Sequence, residues 1–246
     1  MEKNYTDSYV AFLDILGFKE YVSKTECSQI YDLLEKCQND AKWTAENENS
    51  ALDVNSLFSK VKLNLISDSM VISIPAAQKG SLDILIVIVC MITMHCITEY
   101  GVFLRGAITK GNLFSDNSKV FGPALNQAYI LESQSAVYPR IIFTTKLLNE
   151  YKEHFFEPSF DIVETTTDID DDFYQIVDYM MFFHWQIKRN IKAEQYESLL
   201  SKIDRIIDDK LESEYNNRVR EKYIWLKKYS EKSKLKNQNM LSKLCP

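Results

Sequence analysis

The segment Leu82–Ile97 constrains the fold most, because it is almost wholly apolar on every side, with only Asp83 and His95 as ionisable groups apart from two thiols, Cys90 and Cys96. It is shorter than the ~20 residues that span a bilayer. A helix that is hydrophobic all round must be enclosed by protein, so the segment reads as a buried helix. A chain of 246 residues that is 46 % hydrophobic and 12 % aromatic can build that enclosure. Its 29 basic and 35 acidic residues are mixed along most of the sequence and leave a net charge of -6. That gives no broad field for nucleic acid or an anionic membrane, so neither is expected as a partner. Any anionic ligand must be held locally. The polar start Met1–Ser8 lacks the basic-then-apolar order of a signal peptide. The cysteines Cys27, Cys37, Cys90, Cys96 and Cys245 are odd in number and lack CxxC pairing, as free thiols of a cytoplasmic protein would.

Around the buried helix, periodicity places the other elements. Tyr9–Ile15 is an apolar run ending near Gly17, a buried strand followed by a tight turn. From Ser28 to about Ala45, residues Ile30, Leu33, Leu34 and Cys37 recur at helical spacing, and Glu46–Asn55 reads as a loop. Val61, Leu63 and Leu65 alternate with polar neighbours, Ser67-Asp68-Ser69 interrupts, and Met70–Ile74 resumes up to Pro75. This predicts a hairpin with Asp68 at its tip. The buried helix, taken as Leu82–Tyr100, leads into a strand over Val102–Thr109 that continues to Phe114. Gly122-Pro123 opens a helix to about Ser133, and Arg140–Thr144 and Phe173–Tyr179 read as strands.

From Phe183 to Lys236 the chain is charged, with apolar stripes at Leu199, Leu200, Ile203, Ile206, Ile207, Leu211 and at Val219, Tyr223, Leu226. Two or three helices are expected there, packed on the sheet or on a partner. The fold class is α+β: a split βαβ, ferredoxin-like, mostly antiparallel sheet with helices on one face, plus a C-terminal helical extension.

The chemistry lies in two carboxylates. Asp14, in Phe12-Leu13-Asp14-Ile15-Leu16-Gly17-Phe18, stands at a strand end before a glycine that lets backbone amides approach a ligand. Alone, Asp14 or Asp68 reads equally well as a turn-capping residue. Together, the topology brings them to one sheet edge, where they would repel and raise each other's pKa. A divalent cation removes that conflict, and oxygen ligands suit magnesium or manganese rather than zinc.

FLDILGF resembles the first metal motif of the class III adenylate and guanylate cyclases, and LISDS resembles their second. LRGAITKG and FGPALNQA, at residues 104–111 and 121–128, are similar to the family's later motifs in the same order. The resemblance implies a class III cyclase-like catalytic domain over residues 1–182 and a helical extension over 183–246. It implies that Asp14, Asp68 and the Ile15 carbonyl hold two Mn2+ or Mg2+ ions and that amides of Leu16, Gly17 and Phe18 cradle phosphates. Asn126 would orient the ribose from the other protomer of a homodimer.

The chain also departs from the family. The position four after Asn126, an arginine there, is Ile130 here. Lys19, Lys110, Arg105 or Arg140 could replace it; Arg105 is preferred, the alternative being that it forms a structural ion pair. The base-reading positions are Asn64 and Lys119, with no carboxylate left to accept from a purine. This pattern, with AFLDILGF, SDSMVIS, LRGAITKG and FGPALNQAYILES, resembles the pyrimidine cyclases of bacterial Pycsar antiphage systems. UTP, or else CTP, would be converted to a cyclic messenger for a separate effector protein.

Other features carry less. His95, His154 and His184 are scattered and read as packing residues, Asp168–Asp172 as a solvated acidic loop, and Phe182, Phe183 and Trp185 as core. Two rival functions stand beside the cyclase. One is a catalytically inactive cyclase-like nucleotide-sensing or dimerisation module. The other is a polymerase-palm or dinucleotide-cyclase enzyme, against which the absence of a GGDEF hairpin counts.

Overall fold

A computed structural model describes residues 3–42, 54–116, 118–154, 162–182 and 193–244. In chain order these form β1 (Thr6–Ile15), α1 (Phe18–Lys24), α2 (Cys27–Ala41), α3 (Val54–Phe58), β2 (Lys62–Ile66), β3 (Ser69–Pro75) and α4 (Ser81–Tyr100). There follow β4 (Leu104–Ser115), β5 (Val120–Phe121), α5 (Pro123–Ser135), β6 (Ile141–Phe143), α6 (Thr145–His154), α7 (Ile162–Thr165), β7 (Thr167–Ile169) and β8 (Gln175–Val177). A 3-10 turn (Tyr179–Met181) precedes α8 (Ala193–Ser213) and α9 (Asn217–Leu244).

The sheet order is β2-β3-β1-β4-β6-β8-β7, with β5 paired to the end of β4. Among the described strands, only β4 and β6 run parallel. The first four strands have the expected split βαβ order, so the fold is α+β with a mostly antiparallel sheet.

The apolar helix α4 is the centre of the main core. It is 20 residues long and apolar enough to cross a bilayer by length and composition, so the sequence argument from shortness does not hold. Burial decides instead: 89 % of its most apolar window lies inside the fold. Its one early carboxylate, Asp83, accepts the Tyr151 hydroxyl, which makes an acid tolerable there. His95, half-buried near the other end, meets Asp40 at 2.7 Å, consistent with packing. Cys27, Cys37, Cys90 and Cys96 are free thiols. Cys245, His184, Phe183, Trp185 and the His154 side chain lie outside the described residues, as does most of the expected 46–55 loop.

Tyr9, Ala11, Leu13 and Ile15 of β1 point into the α4 core, while Val10 and Phe12 point to a second, smaller cluster with Ala124 and Ala128 of α5. Helices therefore cover one face as expected, and α5 adds a contact on the opposite one. Close pairing of β1 with β4 depends on Gly106, where a Cβ would sit 2.4 Å from the Phe12 carbonyl oxygen.

The acidic run at Asp168–Asp172 departs from its expected solvated loop. β7 reaches Ile169, and Asp170 is 7 % exposed. Asp170 pairs with the buried Arg140 guanidinium, which also meets Asp172 at 2.7 Å. Asp168 takes Lys236 of α9 at 2.5 Å. A buried arginine needs carboxylates, and this run supplies them. The strand expected over Phe173–Tyr179 shortens to Gln175–Val177 because Asp170 accepts the Asp172 and Tyr174 amides and folds that segment into a turn.

The C-terminal helices pack on their own sheet domain. Trp225 of α9 stacks on Tyr138 at 5.7 Å and on Tyr229 at 5.3 Å. Buried Asp178 accepts the Tyr229 and Ser233 hydroxyls and the Lys236 ammonium.

Candidate active site

Strand alternation puts Asp14 on the face of Val10 and Phe12, the side that α5 covers. Its register partners are Ser69 on β3 and Arg105 on β4. The β2–β3 turn is two residues long, and Ser67 takes the left-handed conformation (φ 56°) that so short a reversal needs. The Ile15 N–H donates to the Asp68 carbonyl at 3.0 Å, fastening the hairpin tip to the end of β1. Asp14 and Asp68 are thereby brought to one sheet edge, from segments more than fifty residues apart in sequence.

Arg105 spans the gap between β1 and α5. Its Nε–H donates to Asp14 Oδ2 at 2.9 Å, and the same nitrogen lies 2.9 Å from Glu132 Oε1. One N–H cannot serve two acceptors well, and Glu132 Oε1 is left buried with an ion-pair contact but without a hydrogen bond. Asp14 is 17 % exposed and Glu132 only 3 %. Burial raises the Asp14 pKa, with Arg105 opposing and the Asp68 charge adding. Burial likewise pushes Glu132 up to about 7, against the attraction of Arg105 and with the help of Asp14 and Asp68. Lys222 of α9 lies in the same field: burial and Arg105 lower its pKa, while Asp14 favours its charged form.

Carboxylates thus outnumber their cations, Asp14, Asp68 and Glu132 facing Arg105 and Lys222. The donor set fits a hard divalent cation, since Asp14 of β1 and Glu132 of α5 share a single guanidinium, one Glu132 oxygen is left without a hydrogen bond, and the Asp68 charge adds to the same field. Among the described residues, no group of three or more His, Cys, Asp or Glu side chains is arranged to hold a metal by itself. A cation here would complete its shell with backbone, substrate and water oxygens.

The other sequence-predicted residues are distributed as follows. The Leu16 amide donates to the Phe103 carbonyl at 2.9 Å, so it is not free for a phosphate cradle; strand-end geometry has already used it. Gly17 is left-handed (φ 74°) and its carbonyl accepts from Glu20 and Tyr21, turning the chain into α1 at Phe18. Asn126 is exposed on α5, whose buried positions are Ala124, Ala128 and Glu132. Asn64 and Lys119 line one cavity of about 530 Å³. The Asn64 side chain donates to the Asp116 carbonyl at 3.0 Å and accepts from Ser115 at 3.2 Å, while Lys119 is exposed. Of the alternative cations, Arg140 is committed to Asp170, Lys110 pairs with Glu150 and Asp7, and Lys19 is exposed.

No protein-family model matches this sequence, and no curated protein matches it by sequence. The solved structures similar in shape include two cyclases. The adenylyl cyclase CyaB from P. aeruginosa matches over 72 % of this chain and 97 % of its own, at 16 % identity and a TM-score of 0.44. The catalytic core of a rhodopsin-guanylyl cyclase with converted specificity, in complex with ATPalphaS, matches over 61 % of this chain and 83 % of its own, at 18 % identity and a TM-score of 0.44. What the site can do rests on its own residues.

Sequence reasoning missed Glu132 and Lys222. Glu132 was legible as a carboxylate on the stripe Ala124, Ala128, Glu132, four residues apart on one helical face. Lys222 carried no such signal, because its place depends on how α9 docks.

Proposed function

We propose that this chain is a nucleotide cyclase, converting a nucleoside triphosphate to its 3′,5′-cyclic monophosphate and diphosphate. The observation that carries this reading is the meeting of Asp14 and Asp68 at one strand edge, with the Ile15–Asp68 backbone bond holding them in register. In the reaction the ribose 3′-oxygen attacks the α-phosphorus, its proton leaves, and the bond to the β-phosphate oxygen breaks.

Asp14, Asp68 and the Ile15 carbonyl would hold two Mn2+ or Mg2+ ions, which when bound acidify the attacking hydroxyl and neutralise triphosphate charge. Arg105 fixes the Asp14 carboxylate through its 2.9 Å hydrogen bond. The acid's geometry is therefore set before ligand arrives, which is how preorganised electrostatics act. Asn126 faces outward, and nearby Tyr129 and Ile130 are 55 % and 50 % exposed. An isologous homodimer would cover this surface and let Asn126 reach the partner's ribose, giving two equivalent sites.

Asn64 and Lys119, sharing one cavity, support a base pocket that favours UTP, with CTP next. A lysine ammonium can donate to one uracil carbonyl, and the remaining Asn64 amide hydrogen to the other. The resemblance to Pycsar cyclases extends the reading to a cyclic UMP messenger in antiphage defence, acting on a separate effector. A second reading, an inactive nucleotide-sensing module, is favoured by Ile130 and by the engagement of Arg105 with two carboxylates.

One experiment separates them: incubation of the protein with Mn2+ and all four NTPs at equal concentration, read by product mass. Cyclic UMP is expected to dominate. Dominant cyclic AMP or cyclic GMP overturns the pyrimidine assignment, and nucleotide binding without any cyclic product supports the sensing module.

A further inference from the structure

A second cavity, of about 450 Å³, opens behind the Asp14 strand end, between the Leu16–Gly17 turn and the junction of α8 with α9. Lys222 lines it from α9 and is half-buried. The placement is built rather than incidental. Phe103, whose carbonyl holds the Leu16 amide, also takes the edge of the Tyr223 ring at 5.9 Å. One residue thus fixes both the turn and the start of α9. The charges around the cavity do not cancel evenly. Lys24 is neutralised by Glu20 at 2.5 Å, and Lys24, Lys210 and Lys222 line the cavity against two carboxylates, Glu20 and Glu214, with Lys222 the lining lysine that lies in the field of Asp14.

We infer that Lys222 is a polyphosphate-binding residue, and that the C-terminal helices supply to this cavity, within the same chain, a cation that the α5 surface lacks at Ile130. The ligand class is the diphosphate part of a nucleoside triphosphate, or inorganic pyrophosphate leaving the site. An ammonium suits this role as a point charge that turns toward whichever phosphate oxygen is nearest. Lys222 would bind charge on the β- and γ-phosphates. The extension is then part of the site rather than an appendage to it. This inference rests on the cyclase reading for its substrate, but the anion site can be tested apart from turnover.

The test is calorimetric titration of the full chain with inorganic pyrophosphate in Mg2+, comparing wild type, Lys222→Ala and Lys222→Arg, with thermal melts to verify folding. Loss of one charge-assisted hydrogen bond is expected to weaken pyrophosphate about tenfold or more in Lys222→Ala, with Lys222→Arg within about threefold of wild type. Should the variants fail to fold, pyrophosphate is expected to protect Lys222 of the wild-type protein from amine-reactive labelling. Unchanged affinity in Lys222→Ala, no binding by wild type, or no protection overturns the inference. If wild type forms no cyclic nucleotide while Lys222→Ala still loses pyrophosphate, the cyclase reading fails and the anion site stands.

Discussion

Replacing Glu132 by Gln separates the electrostatics of the site from its packing. Glu132 is 3 % exposed, its Oε1 lacks a hydrogen bond, and its folded pKa is lifted from 4.5 to about 7. The upward direction means that burial, with repulsion from Asp14 and Asp68, outweighs the pull of Arg105. A raised folded pKa means that the native state binds the proton more tightly than the unfolded chain. The associated stability is full below about pH 4.5 and is lost as pH rises through about 7. A shift of that size corresponds to about 3 kcal/mol, at 1.36 kcal/mol per pKa unit. Glutamine is nearly isosteric and cannot ionise. In chelator-treated protein, urea midpoints between pH 5 and pH 8.5 should therefore fall less for Glu132→Gln than for wild type. The difference between the two proteins should change by about 2–3 kcal/mol across that range, or roughly 5–10 °C in melting temperature. The variant should be the more stable one at pH 8.5. Parallel stability curves would refute the reasoning, showing that Arg105 or unseen solvent already compensates the charge.

Three further outcomes follow from the same geometry. Asp14→Asn and Asp68→Asn should each reduce cyclic product at least a hundredfold, measured by product mass, because each removes half of the paired charge that would hold the cation. The melting temperature of Asp14→Asn should stay within a few degrees, since Arg105 keeps Glu132 as its partner. Mixing Asp14→Asn with Asn126→Ala chains should restore about a quarter of wild-type activity, because random exchange makes half the dimers mixed and each of those has one intact site; inactivity after subunit exchange verified by mass would refute the shared site. Asp170→Ala should destabilise the fold by about 3–5 kcal/mol in urea unfolding, since it strands a guanidinium only 3 % exposed, and a loss under 1 kcal/mol would show that Asp172 alone suffices.

Much of this molecule is written in local pattern. The alternation through Val61, Leu63 and Leu65, the break at Ser67-Asp68, and the apolar run of β1 specify a hairpin and a central strand, because a period of two admits one buried face. The four early strands and the meeting of Asp14 with Asp68 follow from that. Pattern failed where a decision depended on what lies opposite. The length of α4 permits a membrane span, and only its enclosure by sheet and helices makes it a core. Asp168–Asp172 looks solvated until Arg140 arrives from a strand edge some thirty residues away. The Leu16 amide looks available until Phe103 takes it. Arg105 reads in sequence as either a substitute cation or half of an ion pair and is shared between Asp14 and Glu132, and Lys222 enters the site only through the docking of α9. Hydrophobic periodicity is a property of neighbouring residues and survives in the sequence. Charge pairing is a property of approach in space, and tertiary structure alone decides it.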